Sequence, residues 1–301
     1  MTEAIDNPSA GWRMKVAIFA LAVSIFSVLW LMVAALGTKF GLWPYQVGLQ
    51  QMTGRIGFPI SALALLLALI AQIISLIKFP RKQAFMVALA ATLIAAYCCG
   101  RLASGMLTAI SLPPIHDVQT DWETPIQFSD TLMQRRADDG AENPVTDSPI
   151  IADWAKDNWP SLNGRLVSEV QEEAEMQSVS EDGNIREPVY PKLDPLYFDA
   201  NPVEIATQVE TLISRRGWEI VTATPETGDI GDSIQIEATA TSGWFGFKDD
   251  VAVRIRTEAG ITRVDMRSTS RVGLSDLGAN AKRIYGLMME LQDKADGRAN
   301  P

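Results

Sequence analysis

Cysteine and histidine are nearly absent from this chain, and their scarcity excludes several kinds of site. Among the 301 residues, the two cysteines, Cys98 and Cys99, are adjacent in an apolar run, and His116 is the single histidine. Adjacent cysteines provide neither a disulfide framework nor the spacing of zinc ligands, and one histidine cannot build a multi-histidine metal site. We interpret Cys98 and Cys99 as small buried residues of a helix rather than as a redox-active or metal-binding pair.

Catalytic motifs are lacking as well. The sequence contains no nucleophile motif, phosphate-binding loop or dinucleotide-binding fingerprint. His116 followed by Asp117 has the composition of a base and its orienting carboxylate. Because no serine or cysteine motif accompanies the pair, a hydrogen bond from His116 to the backbone is the favoured interpretation. We expect no catalytic, cofactor-binding or metal-binding residues and no cofactor.

Charge of the two signs is distributed unevenly along the chain. Residues 1–112 hold 8 Lys/Arg and 2 Asp/Glu, net +6, whereas residues 113–301 hold 18 and 34, net −16. A domain this acidic repels phosphate groups, so nucleic acid is excluded as a partner.

Three apolar runs predict a membrane domain within residues 1–112. They lie at 16–36, 58–77 and 84–100, and the first two are long enough to span a bilayer, which makes lipid a partner. Around them, five basic residues precede the first run or lie in the second loop, and two lie in the first loop. Because basic residues favour the cytoplasmic side, this split predicts a multi-pass inner-membrane protein with everything after Arg101 in the periplasm.

Residues 113–200 are predicted to form an extended linker with a helical insertion. Prolines stiffen both ends of this range, and Ile150 to Trp159 has the pattern of a short helix. A glutamate-rich stretch, 161–187, is predicted as a solvated helix followed by a flexible turn. A metal site there is disfavoured because its clustered glutamates do not share one helix face.

Residues 201–301 are predicted to fold as an α+β domain. Asn201 and Pro202 have the residue types of a helix N-cap and first turn, and Gly217 ends the apolar face that follows. Four segments with strand character come next, and three of them alternate clearly between apolar and polar residues, which predicts an antiparallel sheet. A second helix, capped by Ser275 or Asp276, carries an apolar stripe that includes Leu277. The expected architecture is three transmembrane helices followed by a four-stranded antiparallel sheet covered by two helices.

Several motifs in this order carry a family resemblance. They are Pro113-Pro-Ile-His-Asp, Gly217-Trp-Glu-Ile-Val, Trp244-Phe-Gly-Phe-Lys-Asp-Asp-Val and Ser270-Arg-Val-Gly-Leu-Ser-Asp-Leu-Gly-Ala-Asn-Ala. The chain resembles the bacterial family called domain of unknown function 1499, in the form common in alphaproteobacteria, where the domain often follows membrane spans. The resemblance covers roughly 113–295 and implies a fold and a membrane setting, but no established activity and no catalytic residue.

The wet face of the predicted sheet is rich in arginine. Residues 248–283 hold 8 Lys/Arg against 5 Asp/Glu, net +3, inside the acidic domain. A solvated face laced by weak ion pairs is one interpretation, and a site for an anion or an acidic partner is the other, because the arginine fork suits carboxylate and phosphate. The candidate interaction residues of this face are Arg254, Arg256, Arg263, Arg267 and Arg271.

Trp244, Phe245 and Phe247 form an aromatic cluster between two predicted strands. They either fold over the sheet edge into the core or provide a ligand wall or a lipid contact, and they complete the set of candidate interaction residues.

The function expected from these features is that of a membrane-anchored, outward-facing binding or interaction module, such as an accessory subunit of a membrane complex. Its partners would then be the bilayer and other membrane-protein subunits. A small-molecule or lipid carrier is the alternative, and it requires an apolar cavity between the sheet and the helices. An enzyme is the least favoured class.

Overall fold

A computed structural model of the chain describes residues 11–77, 82–151, 155, 157, 159–176, 190–223 and 233–295. The chain forms two compact units. The first comprises Met1–Leu107 together with Gly243–Gly246, and the second comprises Thr108–Ser242 and Phe247–Pro301.

The first unit contains three helices that are long and apolar enough to cross a membrane, as predicted. They are α1 (Trp12–Lys39), α2 (Phe58–Leu76) and α3 (Lys82–Ser111). A π-helical segment, Gln46–Gly57, runs directly into α2, so most of the region between the first two predicted spans is helical. The third helix continues well past the predicted end at residue 100, because Arg101 ends the apolar run without breaking the helix.

Small side chains allow these helices to pack closely. Ala17 and Ala20 of α1 are buried against Ala68 of α2 and Ala88 of α3. Backbones approach most closely where side chains are small, which is the usual basis of helix packing in a bilayer. Cys98 of α3 is also buried and Cys99 is partly so, and both are free thiols. The interpretation of Cys98 as a small buried helical residue is confirmed.

The second unit is built on a six-stranded antiparallel sheet, two strands more than predicted. Its strands are β1 (Asp117–Gln119), β2 (Leu196–Phe198), β3 (Glu219–Thr222), β4 (Ser233–Thr241), β5 (Lys248–Glu258) and β6 (Ile261–Ser270). They are arranged in the order β1-β6-β5-β4-β3, and β2 pairs with a different part of β6 from β1. The two unpredicted strands have three residues each, too few to show a period of two.

The helices of the second unit are α4 (Asp130–Asp138), α5 (Val167–Glu175), α6 (Pro202–Arg215) and α7 (Ala279–Ala295). The range 113–200 is therefore more than a linker, because it contributes β1, β2, α4 and α5. The helix predicted from Ile150 lies partly outside the described residues, and Ile150 itself forms an isolated bridge with Leu166. A helix is present in the glutamate-rich stretch, α5, but the prediction that it is solvated is wrong for one face, because Val167, Val170 and Ala174 are buried in the core. The turn predicted after it falls mostly within residues 177–189, outside the described part.

Helices α6 and α7 cover the apolar face of the sheet, as predicted. Leu212 of α6 and Leu291 of α7 are buried in one apolar core with Ile236, Val253 and Met266 of the central strands. This layer is the core of the second unit.

The ends of the two covering helices agree with the sequence signals, with one exception. Asn201 accepts a hydrogen bond from Val203 N at 2.8 Å, as an N-cap should. Asp276 caps α7 by accepting from Gly278 N and Asn280 N, both at 2.8 Å. Leu277 is the exception, because α7 begins at Ala279 and Leu277 lies in the preceding turn with 40% exposure.

Candidate functional site: the polar face of the sheet

The face of the sheet opposite α6 and α7 carries charged side chains, and most of it is nonetheless buried. Glu237, Asp250, Asp265 and Arg267 are each 0% exposed. The segment 121–147, which follows β1 and contains α4, lies over this face and hydrogen-bonds to it from both its side chains and its backbone. The prediction of a wet face is therefore wrong over most of the sheet, because this segment supplies partners for the charges and excludes water.

Arg267 and Asp117 form the most deeply buried ion pair of this layer. Arg267 Nε donates to Asp117 Oδ1 at 3.0 Å, and Nη2 donates to Oδ2 at 2.6 Å. The guanidinium also donates to the carbonyl oxygens of Ile126 at 2.6 Å and Thr146 at 2.8 Å, and Thr269 Oγ1 donates to Asp117 at 2.7 Å. A buried charge pair needs such additional partners to offset its desolvation. Arg267 is thus a structural tie between β6 and the covering segment.

Asp250 is held by two arginines. Arg136 of α4 donates to it from Nη1 at 2.6 Å, and Arg271 donates from Nε at 2.8 Å and from Nη2 at 2.7 Å. Burial lowers the pKa of Arg136, with Asp250 opposing that shift. Arg271 also contacts Asp139, which accepts from Lys248 Nζ at 2.6 Å. Partial burial disfavours ionisation of Asp139, but hydrogen bonds from Lys248 and the charge of Arg271 lower its pKa.

Glu237 is satisfied by uncharged donors. It accepts from Ser129 N at 2.7 Å, from Gln235 Nε2 at 2.9 Å and from Thr222 Oγ1 at 3.0 Å, and also from the hydroxyl of Ser129. Ser129 is the N-cap of α4, since its Oγ accepts from Leu132 N. The same serine therefore begins α4 and fastens it to β4.

The ionic layer reaches solvent where β5 turns into β6. Arg263 donates to Asp121 Oδ2 at 2.7 Å, to Asp265 Oδ1 at 3.0 Å and to Glu258 Oε2 at 3.1 Å. Arg254 donates to Asp265 Oδ2 at 3.0 Å. The side chains of Arg254 and Arg263 are each 14% exposed, so solvent reaches both of them. Both also form ion pairs within the protein.

Arg256 is bound more loosely than its neighbours in this group. Its Nη2 lies 3.7 Å from both Asp121 and Asp265 and 4.0 Å from Glu258, distances of ionic contact rather than of hydrogen bonds. Its Nε is buried and has no hydrogen-bond partner among the described residues. The side chain is 26% exposed. Arg256 therefore presents donors to solvent that no described side chain of the protein occupies.

The five predicted arginines consequently divide into two groups. Arg267 and Arg271 are enclosed in the ionic layer, at 0% and 4% exposure. Arg254, Arg256 and Arg263 lie together at its open end, which we call the arginine edge. The predicted pairing through the turn at residues 258–260 is confirmed, since Arg254 is opposite Asp265 and Arg256 is opposite Arg263.

The aromatic candidates lie at the β4–β5 connection. Trp244 is 61% exposed, so it does not fold into the core, whereas Phe245 and Phe247 are partly buried. Within the first unit, Trp244 and Phe245 line a cavity of about 290 Å³ together with Met32, Tyr97 and Arg101. The walls of this cavity are mostly apolar.

His116 and Asp117 do not act on each other as a base and its orienting carboxylate. Both oxygens of Asp117 are engaged by Arg267, and Nδ1 of His116 is buried without a hydrogen-bond partner among the described residues. Burial lowers the pKa of His116, although the charge of Asp117 opposes this. The described part of the chain shows no hydrogen bond from the His116 ring to the proline-rich segment, although the backbone at Leu274 also raises the pKa of His116 against the effect of burial.

The acidic and basic partners from the covering segment were not predicted. Asp117 ends a motif that the sequence analysis singled out, but Asp121, Ser129 and Arg136 carry no signal that would place them on the sheet. Each is separated from its partner by more than a hundred residues.

These features define the chain as a protein with three candidate membrane helices and an α+β domain whose polar sheet face is sealed by ion pairs. The model of the family described as protein of unknown function (DUF1499) matches residues 117–291, more than half of the chain. The chain therefore belongs to this family, and the matched range contains the whole sheet and most of α7. No curated protein and no solved structure matches the chain.

Proposed function

We propose that the protein is an interaction module that is anchored in the inner membrane of a bacterium and presents its α+β domain in the periplasm. The excess of basic residues before the first apolar run and in the second loop supports this orientation. The strongly acidic domain, net −16 over residues 113–301, would face an aqueous compartment rather than anionic lipid.

The partner we propose is an acidic segment of another subunit of a membrane complex, and its docking point is the arginine edge. The observation that carries this proposal is the state of Arg256. Its guanidinium is positioned by the charges of Asp121 and Asp265, yet it makes no hydrogen bond to the described residues, and the side chain is 26% exposed even though Nε is buried. A carboxylate from outside would complete the set of hydrogen bonds with little rearrangement, since the arginine fork matches carboxylate geometry.

Titration of a fluorescently labelled oligoglutamate peptide against the full-length protein in lipid nanodiscs tests this function. Fluorescence anisotropy at low salt should show saturable binding that weakens as salt is added. Arg256→Ala should lower the affinity by about tenfold, equivalent to about 1.4 kcal/mol. Arg256→Lys should restore part of it, because the charge is kept while the fork is lost.

Arg165→Ala is the matched control. Arg165 forms its ion pairs with Glu169 and Glu173 rather than with residues of the arginine edge, and it is also partly exposed. Its removal should leave peptide affinity unchanged. Equal affinities for the wild type and Arg256→Ala would refute the arginine edge as the docking point, and competition by inorganic phosphate alone would reassign it to small anions.

Binding of a lipid or a small apolar molecule is the second candidate function, and the cavity of the first unit supports it. This cavity differs from the one that the carrier hypothesis required, which was to lie between the sheet and the helices. Native mass spectrometry of the full-length protein, released from membranes, should reveal a retained apolar ligand. Replacement of Met32 by Trp would fill the cavity and should abolish the adduct, whereas an unchanged adduct would place the ligand elsewhere.

A further inference from the structure

The turn between β6 and α7 exposes two leucines. Leu274 and Leu277 are 46% and 40% exposed, in a short connection whose other residues are mostly small or polar. Single exposed apolar residues are common on protein surfaces, but two in one short turn make a local apolar projection.

Hydrogen bonds hold this projection in place, and its backbone adopts a conformation that costs free energy. Leu277 has a φ of 54°, in the left-handed region that a residue with a Cβ rarely adopts. Asp276 holds the turn in place by accepting hydrogen bonds from Gly278 N and Asn280 N, while its own N donates to Ile115 O at 3.0 Å. A disfavoured backbone conformation that fixes an apolar side chain in an exposed position points to a function for that side chain.

The turn lies beside the residues at which the chain leaves α3. A Cβ at Gly278 would be 3.1 Å from Cδ1 of Leu112, and Leu112 directly follows the last residue of α3. Ile115, which the turn also contacts, is only four residues past the end of that helix. Four residues reach at most about 14 Å, so the turn is close to the end of α3.

The end of α3 has the properties of a segment at the bilayer surface. The helix has 30 residues, which corresponds to about 45 Å and so to the full thickness of a bilayer with its headgroups. Its last turns still expose apolar side chains, Met106 at 63% and Ile110 at 69%. Lipid contact is therefore expected to continue to the point where Leu112 begins.

We propose that Leu274 and Leu277 insert into the headgroup region of the same bilayer that α3 crosses. The turn would then be a second membrane contact of the second unit, beyond its covalent connection to α3. Insertion would be driven by burial of apolar surface, because the acidic domain gains nothing from anionic lipid. The contact is independent of any partner at the arginine edge.

Site-directed spin labelling of the full-length protein tests this proposal. In a Cys98→Ala, Cys99→Ala background, a nitroxide is attached at Leu277→Cys or at Leu274→Cys, and the protein is placed in nanodiscs of phosphatidylcholine. Ile261→Cys is the matched control, because Ile261, the first residue of β6, is also an exposed apolar residue, at 45%. Leu274 provides the second site, because its backbone is outside the left-handed region and labelling there does not disturb the strained position.

The measured quantity is the accessibility of the nitroxide to oxygen divided by its accessibility to a nickel chelate. This ratio is expected to be several-fold higher at positions 274 and 277 than at 261, because oxygen is enriched in the bilayer and the chelate is excluded from it. The ratio should stay the same when phosphatidylglycerol is added. Ratios at 274 and 277 equal to that at 261 would overturn the proposal, as would a contact that forms only with anionic lipid.

Discussion

The two faces of the six-stranded sheet are both buried, but they are buried by different chemistry. One face lies under α6 and α7 and is apolar, with Leu212, Ile236 and Leu291 in one core. The other lies under the segment 121–147 and is charged, with Arg267 and Asp117 in bidentate contact. On the first face, each apolar side chain that is buried stabilises the fold by itself. On the second face, a buried charge stabilises the fold only if its hydrogen-bonding and ionic partners are buried with it.

This difference predicts how the two faces respond to substitution. Truncation of a side chain on the apolar face leaves a cavity that neighbouring side chains partly fill, so the decrease in the free energy of unfolding depends on how well they fill it. Removal of one charged partner on the polar face leaves the other charge buried and unpaired, so the free energy of unfolding should decrease strongly.

The largest effect is expected for Arg267→Ala. Removal of the guanidinium leaves Asp117 buried, with Thr269 as its one side-chain donor among the described residues, and should lower the free energy of unfolding by about 3–5 kcal/mol. Urea unfolding of the full-length protein in nanodiscs, followed by tryptophan fluorescence, measures this. Arg165→Ala, at an exposed ion pair, should cost less than about 1 kcal/mol, and a similar loss in both variants would show that Arg267 is not enclosed.

On the apolar face, Leu212→Ala should cost about 3 kcal/mol, within the range for buried leucines. Leu212 is 4% exposed and packs in the core of the second unit. Thr207→Ala on the exposed side of the same helix is the control, and is expected to change stability by less than about 0.5 kcal/mol. Equal effects of the two variants in the same urea experiment would mean that α6 is rotated or misplaced.

A smaller effect is expected at the start of α6. Asn201→Ala removes the side-chain oxygen that accepts from Val203 N and should cost about 1 kcal/mol. Asn201→Ser should retain nearly all of the stability, because serine caps equally well. If Asn201→Ser lowered the stability as much as Asn201→Ala, the lost stability would come from contacts of the Asn201 side chain other than the cap hydrogen bond.

The smallest effect on stability is expected for Arg256→Ala, at the open end of the polar face. Because Arg256 makes ionic contacts only at 3.7 Å and beyond, its removal should change the free energy of unfolding by less than about 1 kcal/mol. The same variant should bind oligoglutamate about tenfold more weakly. A large loss of stability would make Arg256 a member of the sealed layer rather than of a docking surface.

The two faces also differ in how far they could be predicted from sequence. The apolar face follows from local patterns: the cap at Asn201, the period of two in β4 to β6, and the spacing of apolar residues in α7. These patterns arise from neighbouring residues, and the structure agrees with them apart from Leu277, whose left-handed backbone places it in the turn before α7, so that the helix begins later than predicted.

The polar face depends on contacts between distant segments. Asp117 and Arg267 are 150 positions apart, and β1, which carries Asp117, is too short for a periodic signal. The alternation in β6 correctly places Arg263, Asp265 and Arg267 on one face, but nothing in it indicates what covers that face. Polar residues at alternate positions of a strand usually indicate a face exposed to solvent, whereas here they belong to a buried network of ion pairs and hydrogen bonds.

A double-mutant cycle at Asp117 and Arg267 tests most directly whether the polar face is sealed. The single variants Asp117→Asn and Arg267→Met and their combination are compared by urea unfolding of the full-length protein, with Arg165 and Glu173 as an exposed bidentate pair for reference. We expect a coupling energy above about 2 kcal/mol for the enclosed pair and below about 1 kcal/mol for the exposed pair. A coupling at Asp117 and Arg267 no larger than that of the exposed pair would contradict burial of this face.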